Sequence, residues 1–374
     1  MIGRLRAFIP LLFAVTILGC FDPEHPKETF SDSSNIASIE EPTEGVQAID
    51  PSDTFNICAV GDMMLGSSLP KGHLPPHDGA KILHPVQKYL KGDVVFGNLE
   101  GCLADTGRSD KCDDLSGNSC FAFRMPRRYG KHIRAAGFNF LSIANNHIND
   151  YGKSGRKSTM QTLESLNISY AGVPEKNTSI VTIGDKKVGF TAFAPNQNTQ
   201  SILDISSAVD VIKELKSRSD IVIVSFHGGA EGKDYQHVPR KMEYFYGEPR
   251  GDVYAFAHAA VDAGADIIIG QGPHVTRGAE LYKKKLILYS LGNFCTYGKF
   301  NFSDANAFAP IVQAQLNGNG DFIKAKIVSI KQKHPGGAFL DQESTAFNYM
   351  KKLSMADFPD NELFFEKGEI KVKN

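Results

Sequence analysis

The amino-acid sequence predicts an α/β protein in which antiparallel strand pairs are mixed with parallel ones. From residue 54 onward, short apolar runs alternate with stretches of helical pattern. Runs that are apolar throughout are typical of strands whose two faces are both covered by other layers. Two stretches, 178–196 and 307–332, break the alternation and predict hairpins around the turns GDK and NGNGD. Together these patterns indicate helices packed on covered, mixed sheets.

The predicted elements follow a regular order along the chain. A strand (FNICAV) precedes a predicted helix (ILHPVQKYLKG), and a second strand (DVVFGNLEG) follows it. Four later units then repeat a helix, a Gly or Ser break, a buried strand and a polar tip. These units are PRRYGKHIRAAG with FNFLSIANNH, SGRKSTMQTLESLN with ISYAG, AVDVIKELKSRS with DIVIVSFHGG, and DVYAFAHAAVDAG with ADIIIGQGPH.

The composition indicates a globular protein without a polyanion-binding field of its own. The chain has 374 residues, of which 41% are hydrophobic, and this is ample for a large core. Lys and Arg number 41 against 42 Asp and Glu, giving a formal net charge of −1. A balance of this kind does not favour nucleic acid as a partner, so we expect none.

The first 53 residues differ from the rest of the chain. Residues 1–20 run from a basic start through a short apolar stretch to Cys20, an order that predicts a secretory signal peptide. The ILGC ending resembles the bacterial lipoprotein cleavage box, with Cys20 as the lipidated residue; an ordinary signal peptide is the alternative. Residues 21–53 are rich in Pro, Ser and acidic residues and predict a flexible tether. We therefore expect an exported protein of the cell envelope, held at a membrane by lipid.

Three cysteines crowd one irregular stretch and predict a disulfide. An exported protein permits disulfides, so we expect two of Cys102, Cys112 and Cys120 to pair. A zinc site is the alternative for this cluster, but no fourth Cys or His lies at finger spacing. Cys58 and Cys295 lie in or just beyond apolar runs, where buried free thiols are common.

Polar side chains follow nearly every predicted strand. In an α/β sheet, ligands bind beyond the carboxyl ends of the strands, so these residues are candidates for one convergent site. Asn-rich and Asp-rich turns are the alternative explanation for any one of them, because these side chains favour turns. The residues at the strand tips are Asp62, Glu100, Asn146, His147, His227, His274 and Asn293.

The residue types at these tips suit a metal. The predicted ligands offer hard oxygen and imidazole donors, which suit Mn, Zn, Fe or Mg better than a thiolate site would. They are Asp62, Glu100, Asn146, His227 and His274. His147, which is followed by Asp150, suits a catalytic role as proton donor beside the metal.

Six motifs in this order resemble the CapA family of poly-γ-glutamate capsule biosynthesis proteins, whose domain is related to calcineurin-like metallophosphoesterases. They are AVGDMMLG, FGNLEG, SIANNHINDYG, SFHGGAE, IIGQGPHVTRGAELY and LILYSLGNF, between about Phe55 and Phe294. The resemblance implies a four-layer α-β-β-α sandwich with two mixed sheets. We assign this domain to residues 54–330 and treat 331–374 as a C-terminal extension, for which we expect a short helix and a final strand.

The resemblance also implies roles for individual residues. Asp62 resembles the first metal carboxylate, Glu100 a bridging carboxylate, and Asn146 with His147 the ligand and acid of a Gly-Asn-His motif. His227 and His274 resemble the later metal histidines. The residues expected to contact substrate or to support the ligands are Glu231, Gln271, Glu280 and Asn293.

Two positions depart from the metallophosphoesterase pattern. Met64 stands where the Asp-x-His motif has its histidine, and Gly272 stands where the closing His-x-His motif has its first histidine. A site with fewer imidazoles should hold metal less tightly. Phosphoesterase activity therefore does not follow from the resemblance alone.

Three functions remain open from the sequence. The first is a metal-dependent, hydrolase-type protein that makes, exports or anchors an anionic polymer such as poly-γ-glutamate, together with other capsule-assembly membrane proteins. The second is a non-catalytic polymer-binding or assembly subunit on a degenerate site. The third is a periplasmic phosphoesterase, unrelated to capsule, whose substrate is a phosphoester.

Overall fold

Two β-sheets packed face to face form the centre of the protein. The computed structural model describes residues 54–109, 111–112 and 120–373. The predicted signal peptide (1–20), the lipidation site Cys20 and the tether (21–53) lie outside the described residues. No helix among the described residues combines the length and apolar character that crossing a membrane requires.

The helices and strands follow one another in this order. They are β1 (Thr54–Met64), β2 (Val94–Leu99), β3 (Cys102–Leu103), β4 (Arg124–Met125), α1 (Tyr129–Ala135), β5 (Phe140–Ser142), α2 (Gly152–Ser165), β6 (Ser169–Ala171), β7 (Thr178–Ile183), β8 (Lys186–Phe193), α3 (Ile205–Lys216), β9 (Ile221–His227), β10 (Glu243–Phe245), β11 (Glu248–Gly251), α4 (Val253–Asp262), β12 (Ile267–Gln271), β13 (Ala279–Tyr282), β14 (Lys285–Leu288), β15 (Asn293–Thr296), β16 (Phe308–Asn317), β17 (Phe322–Lys331), β18 (Phe339–Leu340), α5 (Thr345–Asp357), β19 (Leu363–Glu366) and β20 (Glu369–Val372).

Both large sheets mix parallel and antiparallel pairs. The first has the order β19-β20-β17-β16-β1-β2-β5-β6, with β15 beside β1 and β18 beside β17. Its β1, β2, β5 and β6 run parallel, whereas β16 to β20 are antiparallel to their neighbours. The second has the order β13-β14-β12-β9-β8-β7, and only its outer strands β13 and β7 are antiparallel. The two predicted hairpins, β7–β8 and β16–β17, are confirmed.

Three apolar cores define four layers. The inner faces of the two sheets share a core that includes Phe96 and Phe190. The outer face of the first sheet packs on α1 and α2 through Ile133 and Leu163, and the outer face of the second packs on α3 and α4. The predicted α-β-β-α sandwich is therefore confirmed.

A substitution at Phe190 tests how much the core between the two sheets contributes to stability. Its ring is fully buried and meets Phe96 and Phe140 edge-on, at centroid distances of 5.7 and 5.9 Å. We expect Phe190→Ala to lower the free energy of unfolding by about 3–5 kcal/mol because it leaves a cavity between the sheets. Denaturant titration measures this loss, and Phe364→Ala, at a side chain 46% exposed, is the control that should change it by less than about 0.5 kcal/mol.

The helix predicted in ILHPVQKYLKG is wrong. The structure has only turns there and one short 3₁₀ segment, Gln87–Tyr89. Pro85 is the fourth residue of the stretch, where it supplies no backbone N–H and disfavours helical geometry in the residue before it. The apolar spacing of the stretch serves to bury Leu83, Val86 and Leu90 against the first sheet instead.

The chain beyond residue 331 contributes to the first sheet. Strands β18, β19 and β20 all pair within it, and β20 continues the sheet beyond β17. The helix α5 buries Phe347 and Met350 in the core between the sheets. The segment 331–374, which the sequence analysis treats as a C-terminal extension, thus packs onto the domain.

The expected disulfide is confirmed as Cys112–Cys120, with Cα atoms 5.8 Å apart. Cys102 is a buried free thiol, as are Cys58 and Cys295. Burial raises the pKa of each of these three thiols to about 12, so they remain protonated and unreactive at neutral pH.

Candidate metal centre

The carboxyl ends of strands from both sheets meet at one place. Asp62 lies at the end of β1 and pairs in register with Asn98 of β2 and Asn293 of β15. In the second sheet, His227 ends β9 and pairs in register with Gln271, which ends β12. The side-chain amide of Gln271 donates to the carbonyl oxygen of Val60, 3.1 Å away, and so links the two sheets. The site therefore lies across the junction of the sheets.

Gly61 allows β1 to reach this junction. A Cβ atom at this position would lie 1.8 Å from the carbonyl oxygen of Gly292, a distance that no side chain tolerates. The close approach lets the Asp62 backbone N–H donate to the same oxygen at 2.9 Å. Glycine at position 61 thus fixes the Asp62 carboxylate at the base of the site.

Two carboxylates and two imidazoles face one another there. Asp62 lies on the Nδ1 side of both rings: its Oδ2 is 3.0 Å from Nδ1 of His274, and its Oδ1 is 3.8 Å from Nδ1 of His227. Glu100 lies on the Nε2 side, with its Oε1 3.8 Å from Nε2 of His227 and 3.6 Å from Nε2 of His274. One ligand atom each from Glu100, His227 and His274 lies within 4.8 Å of the others, the spacing of a candidate metal site.

The carboxylates crowd negative charge into a buried space. The pKa of Glu100 is raised to about 8: burial raises it most, Asp62 and Glu231 also raise it, and His274 and Arg250 act against them. Burial alone would lower the pKa of His274, but Glu100, Asp62 and Glu231 raise it to about 10. Such a set of mutually repelling carboxylates is one that a bound cation would stabilise.

His227 is held in the form that binds metals. Its pKa lies well below the ordinary value, chiefly because of burial and then because of the nearby cations Arg250 and His274. A neutral imidazole offers a free nitrogen lone pair, which is the ligand in most protein metal sites. His227 therefore stays neutral and able to coordinate at neutral pH.

Buried polar atoms without hydrogen-bond partners collect at these strand ends. A buried polar atom without a partner is costly, and it commonly marks a place where a ligand or ion completes the structure. Of the twelve such side-chain atoms among the described residues, six belong to residues predicted for the site: both carboxylate oxygens of Glu100, Nε2 of His227, and the amide oxygens of Asn146, Gln271 and Asn293. The donor set present thus fits a divalent ion of the Mn, Zn, Fe or Mg class.

Two asparagines that the sequence analysis missed support the ligands. Asn98 donates to Oδ1 of Asp62 at 2.8 Å and lies 3.3 Å from Nδ1 of His227. Asn145 donates to Oδ1 of Asn98 at 3.0 Å, and its own Oδ1 accepts the backbone N–H of His147. Asn98 precedes Glu100 by two residues, so strand periodicity could have found it. Only the structure separates Asn145, which is engaged, from Asn146, whose side-chain oxygen is free.

His147 and Asp150 form a hydrogen-bonded pair near the candidate metal centre. Nδ1 of His147 lies 2.7 Å from Oδ2 of Asp150, and both side chains are buried. Burial alone would raise the pKa of Asp150, but His147 and Lys111 outweigh it and hold the pKa below its ordinary value. Since an ionised carboxylate only accepts, Nδ1 carries the proton and Nε2 is left for chemistry.

The resting state of His147 is the neutral one. Burial lowers its pKa, with Lys111 acting in the same direction and Asp150 against them. The sequence predicts His147 as a proton donor, and in this structure it must first accept a proton before it can give one.

The remaining predicted residues divide between the site and another cluster. Glu231 lies at the site, with Oε2 3.8 Å from Nε2 of His274 and Oε1 2.9 Å from the guanidinium of Arg250. Arg250 is buried, and no sequence pattern indicates its contact with Glu231. Glu280 lies apart: it accepts from Tyr289 at 2.7 Å and from His258 at 3.0 Å, on the side of α4. Its described contacts are structural and do not reach the metal centre.

The surroundings of Met64 and Gly272 explain why neither position carries the histidine expected in a metallophosphoesterase. The Met64 side chain is buried, and its sulfur accepts the backbone N–H of Gly66. Gly272 has a φ of +114°, and a Cβ there would lie 2.6 Å from the backbone nitrogen of Gly228. No imidazole fits at position 272 without moving the backbone.

A substitution at Gly272 should therefore destabilise the fold. We expect Gly272→Ala to cost about 2–4 kcal/mol of unfolding free energy, because the strain of a positive φ is added to the clash with Gly228. Gly232→Ala is the matched control, since φ is +97° there but no atom lies within 4 Å of the added Cβ. Equal losses in the two variants, measured by denaturant titration, would contradict the role given to the clash.

The family model described as "Bacterial capsule synthesis protein PGA_cap" matches residues 56–297. The chain belongs to this family. A Bacillus anthracis relative named capsule biosynthesis protein CapA is 31% identical over 294 residues, which cover 72% of this chain and 66% of that protein. A Bacillus subtilis relative named PGA biosynthesis protein CapA is 30% identical, over 65% of this chain and 63% of its own. The chain therefore spans slightly less than two thirds of these relatives.

The fold also has a general likeness to a solved phosphatase. That structure, from Mycoplasma pneumoniae, superposes with a TM-score of 0.46 at 14% identity, over 81% of this chain and 100% of that chain.

Proposed function

We propose that this protein acts in making, exporting or anchoring an anionic capsule polymer such as poly-γ-glutamate, through a metal-dependent hydrolase-type site. The observation that carries the proposal is the cluster of Glu100, His227 and His274, whose ligand atoms lie within 4.8 Å of one another in buried surroundings. The names of the Bacillus relatives supply the biological setting. The reaction class is hydrolysis of an amide in the polymer or of a phosphoester.

The ligand residues have distinct tasks in this proposal. Glu100, His227 and His274 would hold the ion together with Asp62, and the free amide oxygen of Asn146 is a further candidate donor. A divalent ion bound there would polarise the oxygen of the scissile group and lower the pKa of a water molecule towards about 7. Asn98 keeps Asp62 oriented, and Arg250 keeps Glu231 beside His274.

The His147–Asp150 pair would move the proton. Asp150 fixes the ring of His147 through Nδ1, so that Nε2 is the atom free to exchange a proton with a reacting group. Because His147 rests in its neutral form, it first accepts a proton and then returns it to the leaving amine or alkoxide. Burial of the pair excludes bulk water from this exchange.

Export and lipid anchoring at Cys20 are part of the proposal, and they place the site at the cell envelope near other capsule-assembly membrane proteins. We expect Cys20→Ser, in the full chain expressed in a bacterial host, to abolish incorporation of labelled fatty acid and to release the protein from the membrane fraction. Unchanged labelling and fractionation would mean that Cys20 is not the lipidated residue.

A non-catalytic polymer-binding subunit is the second candidate. The observation in its favour is the absence of two imidazoles, since Met64 and Gly272 occupy the positions where metallophosphoesterases carry histidine. In that case the same cluster would bind an ion or polymer carboxylates without turnover. Hydrolysis measurements separate the two candidates.

The deciding experiment is a hydrolysis assay on the full chain loaded separately with Mn, Zn, Fe or Mg. The substrates are poly-γ-glutamate, followed by chain length, and a nitrophenyl phosphoester, followed by absorbance. Metal-dependent turnover that Glu100→Gln abolishes and Glu280→Gln retains supports the proposal. Polymer binding without cleavage under every loading would establish the binding subunit instead.

A further inference from the structure

Lys111 touches three groups of the catalytic pair and its surroundings. Its ammonium nitrogen lies 2.8 Å from Oδ1 of Asp150, 3.2 Å from the carbonyl oxygen of Asn146 and 3.4 Å from Nδ1 of His147. The Lys111 side chain is 38% exposed, whereas that of Asp150 is 1% exposed. The ammonium group of Lys111 thus extends from the surface to the buried carboxylate of Asp150. Lys111 lies outside the six motifs that resemble the family.

Asp150 is held from two sides by Lys111 and Phe123, which flank the disulfide cysteines in the sequence. Lys111 donates to its Oδ1, and the backbone N–H of Phe123 donates to its Oδ2 at 2.7 Å. The ring of Phe123 also lies against the imidazole of His147, with centroids 4.3 Å apart. Lys111 and Phe123 therefore both contact His147 and Asp150, one through its ammonium group and the other through its backbone N–H and its ring.

The disulfide joins the chain segments beside Lys111 and Phe123. Cys112 directly follows Lys111, and Cys120 precedes Phe123 by three residues. The disulfide holds the Cα atoms of Cys112 and Cys120 5.8 Å apart. It therefore cross-links the chain close to both Lys111 and Phe123, the two residues that hold Asp150. Without this bond, Lys111 and Phe123 would be linked only through the intervening chain, and holding both in place would cost more conformational entropy.

We propose that Lys111 is a positioning residue for His147, held in place by the Cys112–Cys120 disulfide. Lys111 satisfies the outer oxygen of Asp150, so that the inner oxygen stays on Nδ1 of His147 and the ring keeps Nε2 free for the reaction. Hydrogen-bond partners that orient metal-ligating histidines typically change metal affinity or activity by 10–100-fold when mutated, and we expect an effect at the lower end of that range for the partner of His147. The catalytic part of this inference rests on the proposed function, whereas the effect on the His147 ring does not.

The test uses the full chain with ¹⁵N-labelled histidine. Long-range ¹H–¹⁵N spectra report which ring nitrogen carries the proton, and His147→Gln identifies the His147 signals. We expect Lys111→Met to shift these signals or to mix the two tautomers, and Lys111→Arg to preserve the wild-type pattern. The double variant Cys112→Ser, Cys120→Ser should change the same signals, and circular dichroism confirms that each variant is folded.

Kinetics supply the second readout. We expect Lys111→Met to lower kcat by about tenfold with KM and bound metal nearly unchanged, and Lys111→Arg to restore most of the loss. His147 signals in Lys111→Met identical to those of the wild-type chain would overturn the inference, whether or not hydrolysis is found. Absence of hydrolysis in the wild-type chain would overturn the proposed function. The spectra alone would then decide whether Lys111 positions the His147 ring.

Discussion

Replacing His227 by alanine should empty the metal centre. The wild-type chain, loaded with Mn or Zn and freed of excess ion, is expected to retain about one ion, and the variant almost none. The reason is that His227 is fully buried and its free Nε2 faces Glu100, so its loss removes one of three clustered ligands and leaves a cavity. Elemental analysis of the purified full chain measures the difference.

Stability supplies a second measure of the same change. An ion that binds only the folded chain, present at a hundred times its dissociation constant, should raise the unfolding free energy by about 2.7 kcal/mol in the wild-type chain. The increase should disappear in His227→Ala and persist in the control His84→Ala, because His84 is exposed and outside the cluster. Equal metal content in all three proteins would show that His227 is not a ligand.

Replacing His147 by glutamine should remove turnover while leaving the metal in place. Positioned proton transfer typically contributes 10²–10⁴-fold to rate, so we expect kcat to fall by roughly that factor. Glutamine retains much of the volume against Phe123 but cannot exchange a proton. The measurement is steady-state hydrolysis of whichever substrate the wild-type chain cleaves, with bound metal determined on the same sample.

Asp150→Asn separates the two members of the pair. An amide in place of the carboxylate can donate to Nδ1 of His147, and this would move the ring proton to the atom needed for chemistry. We expect a loss of turnover in the same direction as in His147→Gln, again with metal retained. Full activity in His147→Gln would exclude His147 as the proton-transfer residue.

Much of the fold could be predicted because its strands have a repeating character. Parallel strands covered on both faces are apolar throughout, and the two hairpins carry recognisable turns, so these elements were found where the structure has them. The first predicted helix failed because apolar spacing alone cannot distinguish a helix from buried turns, and Pro85 decides between them through a missing backbone donor. The packing of 363–372 into the first sheet depends on long-range pairing, which local sequence does not specify.

The sequence predicts only those site residues that directly follow a strand. Side chains that directly follow a strand, such as Asp62 and His227, are placed by the sheet itself. Arg250 and Lys111 reach the site from a hairpin and a loop, and their positions depend on tertiary contacts with Glu231 and Asp150. Glu280 shows the opposite limit: a residue within a matching motif can face a different cluster, here Tyr289 and His258.

The length of β1 separates the candidate metal centre from the start of the domain. Thr54 begins this strand and Asp62 lies eight residues further along it, at a rise of about 3.3 Å per residue, which separates the two by about 26 Å. Thr54 and Asp62 therefore lie towards opposite ends of this strand. At that separation, no group at the start of the domain can contact the candidate metal centre, so a label or tag attached beside Thr54 would leave the cluster around Asp62 untouched.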